Sequence, residues 1–372
     1  MATLVLEGVA AEQRVFVASQ WQLMWWRFRK HKLALASGVV VIALYAIVAG
    51  ADFLAYADPE ISEAQRGLMP PQRVYLFDGW RFSPYVHGIK GVRDPQTFKR
   101  VYRADPETKV PVRFFARGFE YTLFGVIPTD RHLIGVDGDA TKTLFLLGTD
   151  VQGRDLWSRL MYGTRISLTI GLLGVAISLA LGVVLGGISG FYGGTLDTVI
   201  QRVIEILRSI PTIPLWMGLA AAVPREWTVL QVYFAITIII SLLGWTELAR
   251  VVRGRFLAMR EEDFVVSARL VGCSQARIMF VHMVPSFMSH IIAATTLALP
   301  AMVISETALS FLGLGIRPPA ISWGVLLQQA QNVQTVAISP WLMFPAVPVI
   351  IAVMAFNFLG DGLRDAADPY GR

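Results

Sequence analysis

Glu261-Glu262-Asp263-Phe264-Val265-Val266-Ser267-Ala268-Arg269-Leu270-Val271-Gly272 is a short polar stretch held between two long apolar segments. Its three acidic residues stand where a helix would begin, and negative charge there favours the positive end of the helix dipole. Residues 264–271 can then run as a short helix. Gly272 permits a sharp break, Ser274 can cap a second helix running towards Val284, and Pro285 marks entry into the next apolar segment. The expectation is two short helices set at an angle and anchored at both ends. Ser267 and Ala268 keep the first slim enough to enter a groove.

The flanking segments decide the fold class. Of 372 residues, 54% are hydrophobic and 16% charged, and the mean hydropathy is +0.53. That excess suits a polytopic membrane protein rather than one soluble core. A span needs about 20 mostly apolar residues to cross roughly 30 Å of hydrocarbon. Six stretches qualify: 33–54, 166–190, 199–223, 229–252, 285–312 and 341–360. The chain is therefore read as an all-α polytopic membrane protein with six transmembrane helices. Ala55-Tyr56-Ala57 imitates a signal-peptidase site, but the first apolar run is long and well inside the chain, so it is read as an uncleaved anchor.

Basic residues set the orientation. Arg27, Arg29, Lys30 and Lys32 precede the first span, and alternation puts Arg202, Arg208, Arg250, Arg253, Arg255, Arg260, Arg269, Arg277, Arg364 and Arg372 on the same side. The two short connections on the other side carry only Arg225 and Arg317. By the positive-inside rule both termini are cytosolic, and the net charge of +6 reads as membrane orientation, not nucleic-acid binding. The single cysteine, Cys273, excludes intrachain disulfides, two-cysteine redox motifs and cysteine-rich zinc sites.

The organisation expected is a cytosolic lead-in (1–32), with Trp21, Trp25, Trp26 and Phe28 at the headgroup level, and a first span (33–54). An extracytosolic insert (55–165) follows, with β-like pieces at 73–77 and 110–115. A core of five spans (166–360) then encloses the loop at about 256–284, and a cytosolic tail (361–372) ends the chain. In the second span Gly174, Ser178, Gly182, Gly186 and Gly190 recur every fourth position, a seam for close helix packing. In the third, Pro211 and Pro214 remove backbone donors and are expected to kink the helix.

Chemistry is sparse. Gly148-Thr149-Asp150-Val151-Gln152-Gly153-Arg154-Asp155 has the spacing of a phosphate loop, but Arg154 replaces the lysine and Asp155 stands where a hydroxyl should meet magnesium. The stretch is read as a turn and then a helix capped by Asp155. Motifs for zinc proteases, serine hydrolases and calcium loops are missing, so no catalytic or metal-binding residue is assigned and the chain is not read as an enzyme. Glu205, Glu247 and Arg250 lie near span ends, whereas Glu306 lies well inside one. Its default role is bonding to neighbouring hydroxyls; the alternatives are proton carriage and solute contact. For residues 322–339, rich in glutamine, a solvated amphipathic helix is the default and a vestibule wall the alternative. Pro211, Pro214, Glu306 and Trp323 are the candidate pathway residues.

The loop that opened the reading resembles the cytosolic coupling loop of ABC importer permeases, whose pattern is Glu-Ala-Ala, three residues, Gly, nine residues, Ile-x-Leu-Pro. Here Val266-Ser267-Ala268, Gly272 and His282-Met283-Val284-Pro285 stand at those positions, and the histidine resembles the peptide-permease branch. Leu147–Asp150 with Gly153-Arg154-Asp155, Ser158-Arg159 and Tyr162-Gly163 is similar to the stretch leading into that branch's core. So are Gly190-Phe191-Tyr192-Gly193-Gly194 with Asp197, Leu309–Gly315, Pro318-Pro319, Ser322-Trp323-Gly324 and Asn357–Asp365. The likeness covers about residues 145–372 and points to the second permease subunit of oligopeptide/dipeptide importers.

The resemblance implies a type I ABC importer fold and a multi-pass protein of the bacterial inner membrane. Its partners would be a homologous permease, two cytosolic ABC ATPases and a periplasmic solute-binding protein, with ATP and magnesium held by the ATPases and no cofactor in this chain. It also implies that Glu261, Glu262, Asp263, Phe264, Ser267, Ala268, Arg269, Gly272, Cys273, Ile278, His282 and Pro285 couple the chain to the ATPase. The solute would be a peptide or a similar small polar molecule. The competing reading, a transporter driven by an ion gradient, would call for paired ionisable groups or broken helices at the bilayer midplane in inverted repeats.

Overall fold

The structure is a computed structural model that describes residues 20–93, 95, 100–136 and 144–367. Residues 1–19 of the lead-in and 368–372 of the tail, Arg372 among them, lie outside the described residues. Helix α1 (Gln20–Phe28) leads into α2 (Lys32–Ala49), whose first turn is capped by His31 Nδ1 accepting from the Ala34 amide. Trp21, Trp25 and Trp26 are exposed, but Phe28 is buried with Ala34 and Ala366. Phe28 therefore packs inside the protein and not among headgroups, because α1 folds back against the last helix.

After the short α3 (Ala51–Leu54) the chain turns to β structure, which corrects the all-α expectation. Strands β1 (Val74–Asp78), β2 (Arg81–Arg93) and β3 (Arg100–Pro111) form an antiparallel meander, and β4 (Arg113–Leu123) and β5 (Ile127–Gly135) a separate hairpin. The two β-like pieces seen in the sequence are parts of this larger region. Val86, Val110 and Leu144 make its small core, with Tyr56 and Val112 packed against them.

Helix α4 (Leu156–Tyr192) is 37 residues long, about 55 Å at 1.5 Å per residue, and so outruns the roughly 30 Å of hydrocarbon. It starts ten residues ahead of the expected 166 because Arg159 and Arg165, which interrupt the apolar run, are both paired. Arg165 meets Asp52 at 2.6 Å and Arg159 lies 3.6 Å from Asp150. Helices α5 (Gly194–Ser209) and α6 (Thr212–Ala221) meet at 89°. The third apolar stretch is thus broken, not merely kinked. Ile210, forced towards extended geometry by the following proline, holds ψ 131°. Pro214 lies in the first turn of α6, where no donor is needed, so the break belongs to Pro211 alone.

Helix α7 (Val229–Met259) packs along α4 over the small-residue seam. A Cβ on Gly186 would lie 2.8 Å from the Ala249 Cα, and one on Gly190 2.6 Å from the Arg253 carbonyl oxygen. Ser241 Oγ donates to the Gly174 carbonyl at 3.1 Å. Beyond the polar loop at 261–287 lie α11 (Met288–Phe311), the short α12 (Trp323–Gln328) and α14 (Ala346–Ala367), with α13 (Val333–Ile338) between the last two. Among the described residues five helices are long and apolar enough to cross a membrane, or six if α5 and α6 form one span.

Candidate functional site

The elbow joins α7 to α11. Helix α8 (Asp263–Leu270) starts after Glu262 and has Asp263 in its first turn. It ends in a Schellman motif: the Cys273 amide donates to the Ala268 carbonyl and the Gly272 amide to that of Arg269, each at 3.0 Å. The motif needs a left-handed residue, and Gly272 supplies it with φ +84°. A Cβ there would meet nothing within 4 Å, so backbone conformation and not space is what requires glycine. Ser274 then caps α9 (Gln275–Arg277), which continues through one π-helical turn (Ile278–Met283) into α10 (Val284–Ser286). In that turn the Val284 amide reaches back five residues to Met279, which eases the entry of Pro285, a residue with no amide to donate.

The elbow has two faces. Val265, Ile278, Met279, Met283, Val284 and Phe287 are buried against Phe191, Val252, Phe256 and Ile291 at the ends of α4, α7 and α11. The Phe256 and Phe287 rings meet edge-on at 5.9 Å, and the Arg269 guanidinium lies 5.3 Å from the centre of the Phe191 ring. Nearby, Asp197 of α5 receives both arms of Arg253 at 2.6 Å and fixes the turn after α4 to α7. The other face is bare and apolar: Leu270 is 83% and Val271 84% exposed, with Phe264, Val266, Phe280 and Val281 also open.

Of the residues singled out in the sequence, Glu261, Glu262, Asp263, Phe264, Ser267, Arg269, Gly272 and Pro285 are on the open side of the elbow. Ala268, Cys273 and His282 are half-buried. Ile278 is 1% exposed and packed in the buried cluster of the elbow's inner face. Leu270, Val271, Phe280 and Val281 were missed. Their signal was present, as large apolar side chains in a loop otherwise rich in charge.

The pathway candidates divide. Pro211 and Pro214 are exposed at the α5–α6 break. Glu306 and Trp323 are both 0% exposed in this chain. Glu306 accepts from Ser167 Oγ at 2.9 Å and Ser310 Oγ at 2.8 Å. Ser167 in turn accepts from the Trp323 amide, and the Trp323 indole donates to Thr164 at 3.1 Å. The carboxylate is a knot that ties α4, α11 and α12. For the same reason 322–339 does not form one solvated helix: α12 is driven into the core, with Trp323, Gly324, Val325 and Leu326 all buried.

The phosphate-loop mimic holds no room for phosphate. Its amides at Gln152 and Arg154 already donate to Asp150 Oδ1, at 2.8 and 3.0 Å, and Arg154 Nε donates to Asp150 Oδ2 at 2.7 Å. Asp155 caps α4 by accepting from the Ser158 amide at 2.7 Å and also accepts from the Tyr56 hydroxyl at 2.8 Å. Burial pushes its carboxyl up to about 6, against the hydrogen bonds from Ser158 and Tyr56.

Two family models match this chain. One, described as binding-protein-dependent transport system inner membrane component, covers residues 182–370, and so the seam's end, the elbow and the Glu306 knot. The other, the N-terminal TM domain of oligopeptide transport permease C, covers residues 19–71. The oligopeptide transport system permease protein OppC of Bacillus subtilis (strain 168) is 37% identical over 64% of this chain and 75% of its own length. OppC of Haemophilus influenzae is 39% identical over 60% and 70%, and the dipeptide transport system permease protein DppC of B. subtilis 37% over 60% and 68%. A chain of the inward facing MetNI methionine ABC transporter superposes on 56% of this chain at a TM-score of 0.42 with 19% identity, too loose a match to build on. With the first model matching half of this chain, and three relatives aligned over at least 68% of their own length, the chain belongs to the family of binding-protein-dependent inner membrane transport components, as a permease of the oligopeptide/dipeptide ABC importer group.

Proposed function

We propose that this permease forms half of the translocation pathway for peptides or similar small polar solutes, with a homologous permease as the other half. Two cytosolic ABC ATPases, holding ATP and magnesium, dock on the elbow, and an extracytosolic solute-binding protein delivers the solute. In this reading α5 and α6 count as one span, which makes six. The insert at 55–165 then lies outside the cytosol and both termini inside it, in the inner membrane of a bacterium. The excess of arginine on one side of the spans supports that orientation, and the peptide permeases among the relatives support the solute class.

The observation that carries the mechanism is the contrast between the elbow's two faces. Its inner face is wedged into the ends of three long helices, so a push on α8 moves those helices as a body. Its outer face presents Leu270 and Val271 bare at the helix tip, where a groove in a soluble partner would bury them. Closure of the ATPase dimer would drive the elbow and turn the cavity from one side of the membrane to the other. Glu261, Glu262 and Asp263 orient α8, Phe264, Ser267, Ala268 and Arg269 make the docking contact, Gly272 and Cys273 set the angle, and His282 and Pro285 direct the chain back into α11.

The test is the double variant Leu270→Asp/Val271→Asp. Both side chains are exposed, so the chain should fold and insert, while the ATPases should no longer co-purify and ATP-driven uptake should cease. Normal uptake by that variant would remove the elbow from the mechanism. Uptake by the unaltered assembly that ignores ATP and follows an imposed ion gradient would remove the ATP-driven reading altogether.

A further inference from the structure

The β4–β5 hairpin carries apolar side chains that the insert's own core does not use. Phe124 is 66% and Val126 79% exposed at its tip, and Ile127, Phe114 and Phe115 are also open. Two of these residues are held in strained backbone: Phe115 has φ +54° and Phe124 φ +53°, a left-handed region that bulky side chains rarely enter. A hairpin that only capped the fold could carry glycine or asparagine at those places without strain.

The hairpin's position says what meets this surface. Helix α2 has 18 residues, about 27 Å, close to the full hydrocarbon thickness, so its Ala49 end marks the edge of the apolar layer. The outer face of α2, through Leu33, Val39, Ile42, Ala46 and Ala49, is exposed and apolar. That face continues one helical step to Phe53, whose ring lies 6.0 Å from that of Phe115. His132 of β5 bonds the Asp52 carbonyl at 3.0 Å and so pins the hairpin to α3. At the other end of the hairpin, Phe124 and Gly125 line the same cleft as Val48 and Ala49. Both the base and the tip of the hairpin are therefore at the height where α2 leaves the bilayer, with Asp52, Asp58, Glu60, Glu120 and Arg165 lining the cleft between the tip and α2.

We propose that the β4–β5 hairpin is a membrane-interface element. Phe114, Phe115, Phe124, Val126 and Ile127 lie in the headgroup layer beside the Ala49 end of α2 and hold the insert down on the bilayer. The ligand is the lipid surface itself, met by aromatic rings of the kind that favour the boundary between water and hydrocarbon. The inference goes beyond the transport function and is independent of which side of the membrane the insert occupies.

The experiment places photoreactive benzoylphenylalanine at position 124, at position 126 and, as a reference, at Glu107 in β3, in the full assembly reconstituted in phosphatidylcholine nanodiscs. Lipid adducts are expected at 124 and 126 and none at 107. Adducts exclusively to another protein chain at 124 and 126, or no adduct there, would overturn the proposal. Hydrogen exchange supplies a second measure. Phe124→Ser/Val126→Ser/Ile127→Ser should speed amide exchange across 113–135 several-fold in nanodiscs, and unchanged exchange would count against the anchor. ATP-driven uptake measured on the unaltered chain in the same membranes reports on the transport function separately.

Discussion

Along the α4–α7 seam, glycine and serine bring two backbones together and no large side chain is left over. At the elbow, large side chains fill the inner face while others as large stand bare on the outer one. Both regions are closely packed, but at the elbow bare apolar side chains share one short loop with buried ones, whereas the contact face of the seam is closed. A seam that closes on itself explains stability. A wedge that closes on one side and is bare on the other is, in the function proposed here, where force passes between this chain and a docked partner. The Asp197–Arg253 pair joins the two regions, since it fixes the start of α5, just after the turn that follows α4, to α7 beside the elbow's core.

The sharpest way to break the comparison is to enlarge the seam. Gly186→Leu sets side-chain atoms against the backbone of Ala249, which has no rotamer to give. The expected loss exceeds the usual overpacking cost of about 1–3 kcal/mol, seen as a collapse in yield and in the thermal midpoint of the purified chain. A variant of wild-type stability would mean that the helices are not in contact there. Next, Ile278→Ala opens a cavity on the elbow's inner face. The lower end of the usual range, about 2 kcal/mol, is expected because loop neighbours can relax, and ATP turnover should lose its dependence on solute while the ATPases still bind.

Gly272→Ala comes third. Nothing crowds the added Cβ, so the penalty is the left-handed backbone alone, about 1–2 kcal/mol and local to the elbow. Folding should survive and uptake fall, with Gly272→Asn intermediate because asparagine tolerates that conformation; equal uptake by all three would show that the bend is not needed. The smallest effect on stability belongs to Leu270→Ser, within about 0.5 kcal/mol for an exposed site. Its reading is functional: a measurable drop in ATPase affinity with an unchanged melting curve. That outcome would separate the bare face from the wedged one.

Parts of this arrangement were plain in the residues. The glycine repeat in α4 announced a seam because its spacing is that of a helix face, and Gly272 with Ser274 announced a break and a cap because both act within a few residues. Asp155 was legible as a cap for the same reason. Glu306 was legible only in kind. Its hydroxyl partners could be anticipated, but Ser167 lies 139 residues away, and no local pattern shows that the carboxylate is sealed. The burial of Trp323 was hidden similarly, since a tryptophan beside a glutamine-rich connection looks wet until α12 is seen buried under α4 and α11.

Sequence alone determined the apolar spans, the likeness to importer permeases, the seam and the bend at Gly272, because each depends on composition or on neighbours within about a turn of helix. Tertiary structure alone decided which face of the elbow is sealed, that Ile278 is buried while Leu270 and Val271 are surface, and that the insert is a β region with one hairpin set against α3. Burial is a property of what packs across long stretches of chain. Residues of equal hydrophobicity, such as Val265 and Val271, receive opposite roles only once those stretches meet.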